Sequence, residues 1–140
     1  MRRARADILP RAALSLLLGL SAGATAAVAE ISVPSGQSAN LHEMFLEPQE
    51  SGEVIFRLRY LTPEISREGG QMKYADVEAD FQHLCESDAL PKLQAAQAQA
   101  DTIVISMMDR VVEFGASDPD ATQFFEVFRH NFDTCIWEAF

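Results

Sequence analysis

The sequence predicts an α+β fold in which one main helix packs across a mostly antiparallel sheet of about four to five strands. Three stretches carry that prediction. Val54, Phe56, Leu58 and Tyr60 alternate with Ile55, Arg57, Arg59 and Leu61, the period-two pattern of a strand with one apolar face and one face carrying arginines. Tyr74, Val77, Phe81, Leu84 and Cys85 then recur at spacings of three and four, which predicts a helix from Tyr74 to about Ser87. Thr102 to Met108 (TIVISMM) is a compact run rich in β-branched residues, as expected of a strand buried on both faces.

The other segments fit around these three. After Ile31-Ser32-Val33 comes the turn signal Pro34-Ser35-Gly36, and then Leu41, Met44, Phe45 and Leu46, spaced as one or two helical turns. Thr62-Pro63 ends the first clear strand, and Glu68-Gly69-Gly70-Gln71 reads as an exposed loop. On the main helix Cys85 falls on the buried face, with Asp76, Asp80 and His83 on the opposite one. Leu90-Pro91-Lys92-Leu93 is expected to break that helix, because proline lacks an N–H, and the polar run from Gln94 is a helix-permissive surface segment. Val111 to Phe114 reads as another short strand, stopped by Gly115 and the Asp118-Pro119-Asp120 turn. Gln123 to Arg129 and Cys135 to Phe140 read as two strands joined around Asn131-Phe132-Asp133, with a helix as the alternative because Phe124, Phe128 and Phe132 recur every four residues.

The N-terminus addresses the chain. Arg2, Arg3, Arg5 and Arg11 precede the leucine-rich run Leu14 to Leu20, and small residues lead to Ala27-Val28-Ala29. That order is the one of a secretory signal peptide, so residues 1–29 are expected to be cleaved and residues 30–140 to form a single small globular domain. An uncleaved anchor is the competing reading, since Ala12 to Ala29 holds 18 residues without a charge, but its second half of Ala, Gly, Ser and Thr is weakly apolar. Cleavage would remove 29 of 140 residues, leaving 111, room for one modest core. It would also remove four arginines and Asp7, leaving seven basic against twenty acidic residues, a net charge of −13. Such a surface repels phosphate backbones and anionic lipid, which argues against nucleic-acid binding and, after cleavage, against membrane binding.

Export changes the meaning of the two cysteines. In an oxidising compartment, on a domain with a small core, Cys85 and Cys135 are expected to form one disulfide. A redox pair would need Cys-x-x-Cys spacing, which is absent, and a nucleophilic cysteine served by His83 or His130 would need an exposed thiol.

No catalytic, cofactor-binding or metal site is assigned. Asp76, Asp80 and His83, at i, i+4 and i+7, could hold a divalent cation if another element supplied a fourth ligand, but a solvated helix face accounts for them as well. Asp118, Asp120 and Glu126 lack the calcium-loop pattern, and a turn explains them with less. The one Gly-x-Ser-x-Gly match, at Gly19 to Gly23, lies inside the signal segment, and Gly69-Gly70 alone is too little for a phosphate loop. Phe124, Phe125, Phe128, Phe132, Trp137 and Phe140 form a dense aromatic cluster, read first as core and second as a ligand groove. The candidate binding surface is therefore Arg57 and Arg59 on the sheet, or Phe124, Phe128 and Trp137 on the C-terminal hairpin.

The segments ISVPSGQ, REGG, HLCE, VEFG, TQFFE and CIWE, in that order behind the signal segment, resemble a family of small exported bacterial proteins defined only as domain of unknown function 6497. The resemblance supplies no catalytic residues. Members are sometimes labelled acetolactate synthase, and the sequence argues against that label, because a thiamine-diphosphate enzyme needs separate domains and a Gly-Asp-Gly metal motif absent here. The resulting expectation is a periplasmic, disulfide-stabilised binding protein without a cofactor, whose partner is a periplasmic protein or a small ligand. The alternatives are an inhibitor of a cationic hydrolase and a small metal-assisted or cysteine hydrolase.

Overall fold

The computed structural model describes residues 29–139. Its strands are β1 (Glu30–Ser32), β2 (Ser38–Pro48), β3 (Val54–Leu61), β4 (Thr102–Met108), β5 (Gln123–Asn131) and β6 (Thr134–Trp137). They form one six-stranded sheet in sequence order. Between β3 and β4 runs a continuous helical stretch made of α1 (Tyr74–Leu84), a π-helical turn (Cys85–Ala89) and α2 (Leu90–Ala95). The predicted signal segment lies outside the described residues except for Ala29, and no described helix is long and apolar enough to cross a membrane.

A helix on a sheet is thus present, but the sheet has six strands and is mixed. β3 and β4 are parallel neighbours, whereas the other four pairings are antiparallel. Parallel neighbours need a crossover, and the helical stretch supplies it. Strand patterning in the sequence carries no information on which neighbour a buried strand such as β4 will choose.

Three local predictions are corrected. Residues Leu41 to Leu46 belong to an extended strand, not to helical turns. A bulge between Leu41 and Glu43 places Leu41, Met44 and Leu46 opposite Tyr60, Leu58 and Phe56, while Glu43 and Phe45 lie opposite Arg59 and Arg57. The extra residue makes one strand face recur at a spacing of three, which imitates a helix. Pro91 does not break the helical stretch. The preceding turn widens, with the Leu90 N–H donating to the Cys85 carbonyl, so proline starts α2 where its missing N–H and its clash with the carbonyl four residues back are tolerated. Residues 111–114 are irregular chain lying over the sheet, not a strand. The two strands predicted at the C-terminus are present as β5 and β6, and their pairing excludes the helical alternative.

Val77, Phe81, Leu84, Cys85, Leu90 and Leu93 of the helical stretch join Phe56, Leu58, Tyr60, Ile103, Ile105, Met107 and Phe128 in one buried cluster. Each such side chain contributes about 1.5–3 kcal/mol of burial. Tyr60 reaches through this layer to donate its hydroxyl to Asp88 at 2.7 Å, and Asp88 also pairs with Lys92. The opposite sheet face is only partly wet. Arg57 pairs with Glu47 at 2.9 Å, Arg59 pairs with Glu43, and Arg59 is buried because it also donates to the Val112 carbonyl at 2.8 Å under the 111–114 segment.

Candidate functional site

Beyond β3 the chain makes a 3-10 turn (Pro63–Ile65) and doubles back on itself. The Gly70 N–H donates to Ser66 O at 3.1 Å and the Met72 N–H to Glu64 O at 3.0 Å. That closeness requires glycine: a Cβ at position 70 would stand 2.3 Å from Ser66 O and 2.4 Å from Glu64 O. Gly70→Ala is expected to force this loop open and destabilise the protein by about 1–3 kcal/mol. Thermal unfolding checks this, and an unchanged melting temperature would refute the tight packing.

A second segment, residues 119–124, lies against this loop. Arg67 holds the two together, its Nη2 donating to Pro119 O at 2.7 Å and Ala121 O at 3.3 Å, and its N–H donating to Thr122 Oγ1 at 3.3 Å. Thr122 is fixed in turn by Asp109, whose carboxylate accepts the Thr122 N–H at 2.8 Å and pairs with Arg110 at 2.9 Å. Burial alone would raise the Asp109 carboxyl, but the hydrogen bonds from Arg110, Thr122 and Ser66 outweigh it and hold the group below the usual carboxylate range. Between the two segments lies an open cleft of about 580 Å³. Its apolar lining includes Ile65, Met72 and Phe124, and its polar lining includes Arg67, Gln71, Lys73 and Thr122.

Tyr74, the first residue of α1, forms an aromatic wall of the cleft with Phe124, their rings edge-on at 5.6 Å. Its hydroxyl donates to Glu126 Oε1 at 2.5 Å. Burial first, then the hydrogen bond to Glu126 and the charges of Glu126 and Glu78, push this hydroxyl up to about 12. An unfolded tyrosine titrates near 10, so the contribution is complete below about pH 10 and is lost as pH rises through about 12. Tyr60, raised in the same direction by burial and Asp88, adds to this alkaline limb. Tyr74→Phe should therefore lose less stability than the parent between pH 10 and 12 in urea titrations, and parallel curves would contradict the assignment.

The predicted binding residues fall into three places. Phe124 lines the cleft. Phe128 is fully buried and presents no surface, and Trp137 packs on it and on Phe81, with ring centroids 5.3 and 6.4 Å apart. Arg57 and Arg59 lie on the other sheet face, where Phe114 covers both guanidinium groups at 5.0 and 5.6 Å beside a smaller hollow of about 290 Å³. The two arginines thus clamp the 111–114 segment, Phe128 and Trp137 pack in and against the core, and Phe132 is 92% exposed. Phe125, also facing that hollow, is 60% exposed, and Phe140 lies outside the described residues.

Cys85 and Cys135 are joined in a disulfide, and no free cysteine exists among the described residues, which removes the thiol that a cysteine hydrolase would use. Asp76, Asp80 and His83 do not share a solvated face. Asp76 accepts the Lys73 N–H at 2.8 Å and caps α1, whereas Asp80 is fully buried and accepts from Ser35 N, Ser35 Oγ and Gln37 Nε2 at 2.8, 2.5 and 2.8 Å. Among the described residues no three His, Cys, Asp or Glu side chains converge as metal ligands would. Asp118 caps its own turn by accepting the Asp120 N–H at 3.0 Å, and Glu126 is held by Tyr74. The cleft itself escaped sequence reasoning, because its walls come from segments some fifty residues apart. The only local signal was the Gly69-Gly70 pair, which marked a sharp return of the chain.

Residues 16–140 match the model of Family of unknown function (DUF6497). The chain belongs to that family. No curated protein and no solved structure matches this DUF6497 chain, so its cleft is interpreted from its own chemistry.

Proposed function

We propose that the chain is exported to the periplasm, loses residues 1–29, and acts as a binding domain without turnover, taking a small ligand in the cleft between residues 66–74 and 121–124. The observation that carries this reading is the cleft, whose volume of about 580 Å³ falls in the range of small-molecule sites and whose wall is part aromatic and part hydrogen-bonding. The arginine-flanked N-terminal apolar run and the disulfide support export. Binding without turnover is supported by the state of the groups at hand. Tyr74, held protonated far above neutral pH, is a donor and not a base, and both sulfurs are tied up in the bridge.

Two measurements test this. Expressed as the full chain in a Gram-negative host, the protein should appear in the periplasmic fraction with a mass beginning at Glu30; retention of residues 1–29 would count against export. A small-molecule thermal-shift screen of the mature protein should yield ligands whose effect Gly70→Ala abolishes. Ligands that act equally on parent and variant would place binding elsewhere.

A further inference from the structure

We infer that the cleft takes an organic anion, a carboxylate carried on an apolar and preferably aromatic body. This rests on the reading of the cleft as the ligand site and names its ligand class. Residues 30–140 contain seven basic side chains in an acidic chain. Five are ion-paired: Arg57 with Glu47, Arg59 with Glu43, Lys92 with Asp88, Arg110 with Asp109 and Arg129 with Glu138. The two outside any ion pair among the described residues, Arg67 and Lys73, both line this one cleft.

With acids outnumbering bases almost three to one, random placement would neutralise most cations, so two uncompensated charges at one concavity form a local anion-attracting field. Arg67 spends only Nη2, on two neutral carbonyls, and its Nε and Nη1 make no hydrogen bond among the described residues. Each of these free groups can donate one charge-assisted hydrogen bond to a carboxylate, though not as a bidentate fork, because both forks of a guanidinium include the engaged Nη2. The Lys73 ammonium makes no hydrogen bond among the described residues. Of the nearby carboxylates, Asp76 is engaged by the Lys73 N–H and Glu126 by the Tyr74 hydroxyl, whereas Glu64 and Glu68 flank the loop without pairing with either cation. The same cleft is lined by Met72, Ile65 and the Tyr74–Phe124 aromatic pair, which would cover an apolar body but would gain nothing from a bare inorganic anion.

The test is calorimetric titration of the mature protein at low salt with 3-phenylpropanoate, its uncharged amide and inorganic phosphate. The carboxylate should bind, with the amide and phosphate each weaker by about tenfold or more, the equivalent of about 1.4 kcal/mol. Lys73→Gln should cost a similar factor while leaving the unliganded melting temperature unchanged. Lys73→Arg, which keeps the charge, should retain binding and serves if the glutamine variant folds poorly. Equal binding of acid and amide would overturn the anion assignment while leaving the cleft as a ligand site. Phosphate binding as tightly as the carboxylate would overturn the apolar part of the assignment. No binding of any of the three would overturn the inference, leaving the broader screen to decide the fate of the cleft itself.

Discussion

Cys135→Ser is expected to lower the unfolding free energy by about 4 kcal/mol and to expose the C-terminal hairpin to proteases. The bridge to Cys85 spans a sequence separation of 50, and closing a loop of that length removes about 4 kcal/mol of denatured-state entropy in the chain-entropy model. The native state adds a second reason. β6 is a four-residue edge strand, and besides its ladder to β5 it is held by Gln82 Nε2 donating to Cys135 O at 2.7 Å and by the Cys135 N–H donating to Glu86 at 3.2 Å. Without the bridge those two hydrogen bonds must hold the strand against the helical stretch alone. Both sulfurs are buried, so reduction of the native protein should require opening and proceed slowly. Melting temperatures that agree under oxidising and reducing conditions, once reduction is verified by thiol counting, would defeat this prediction.

Asp80→Ala is expected to cost about 3 kcal/mol, because it strands three donors at once: the Ser35 N–H, the Ser35 hydroxyl and the Gln37 amide. Those donors belong to the chain joining β1 to β2, so the carboxylate pins that turn to α1. Asp80→Asn should be far milder, since it keeps an acceptor and adds a donor that can reach Gln37 Oε1, a buried oxygen without a partner among the described residues, once the Gln37 amide turns over. Urea unfolding should therefore rank the parent first, asparagine close behind and alanine well below. A loss under about 0.5 kcal/mol for alanine, the behaviour of a solvated helix face, would contradict the buried network.

Asp80 also shows where sequence reasoning reaches its limit. The helical pattern set Asp80 with Asp76 and His83 on the face opposite the apolar one, and only the distant partners Ser35 and Gln37 account for its burial. The disulfide was legible because the expected export and the faces of local elements both pointed to it. The strand β3 was legible by its period of two and β4 by its run of β-branched residues, whereas β5 and β6 were read as strands with a helix left open by Phe124, Phe128 and Phe132 at every fourth residue. The bulge in β2 was not, since one inserted residue turns a period of two into an apparent period of three. The parallel pairing of β3 with β4 and the cleft share another cause. Both are created by juxtapositions of segments far apart in the chain, and no local pattern encodes which loop will meet which.

The sheet's strand order has a consequence for how the molecule assembles. Because each strand's neighbours in space are its neighbours in sequence, four of the five pairings close over short connections of at most about 14 residues. One pairing, β3 with β4, must wait for residues 62–101 to be gathered, the costliest loop closure among the pairings. The N-terminal and C-terminal halves are therefore expected to form separately as meanders and to meet when the helical stretch buries Val77, Phe81 and Leu84 in the shared core. The Cys85 to Cys135 bond links that helical stretch to the C-terminal meander, so its oxidation should follow docking and record, as a covalent mark, that the two halves have met.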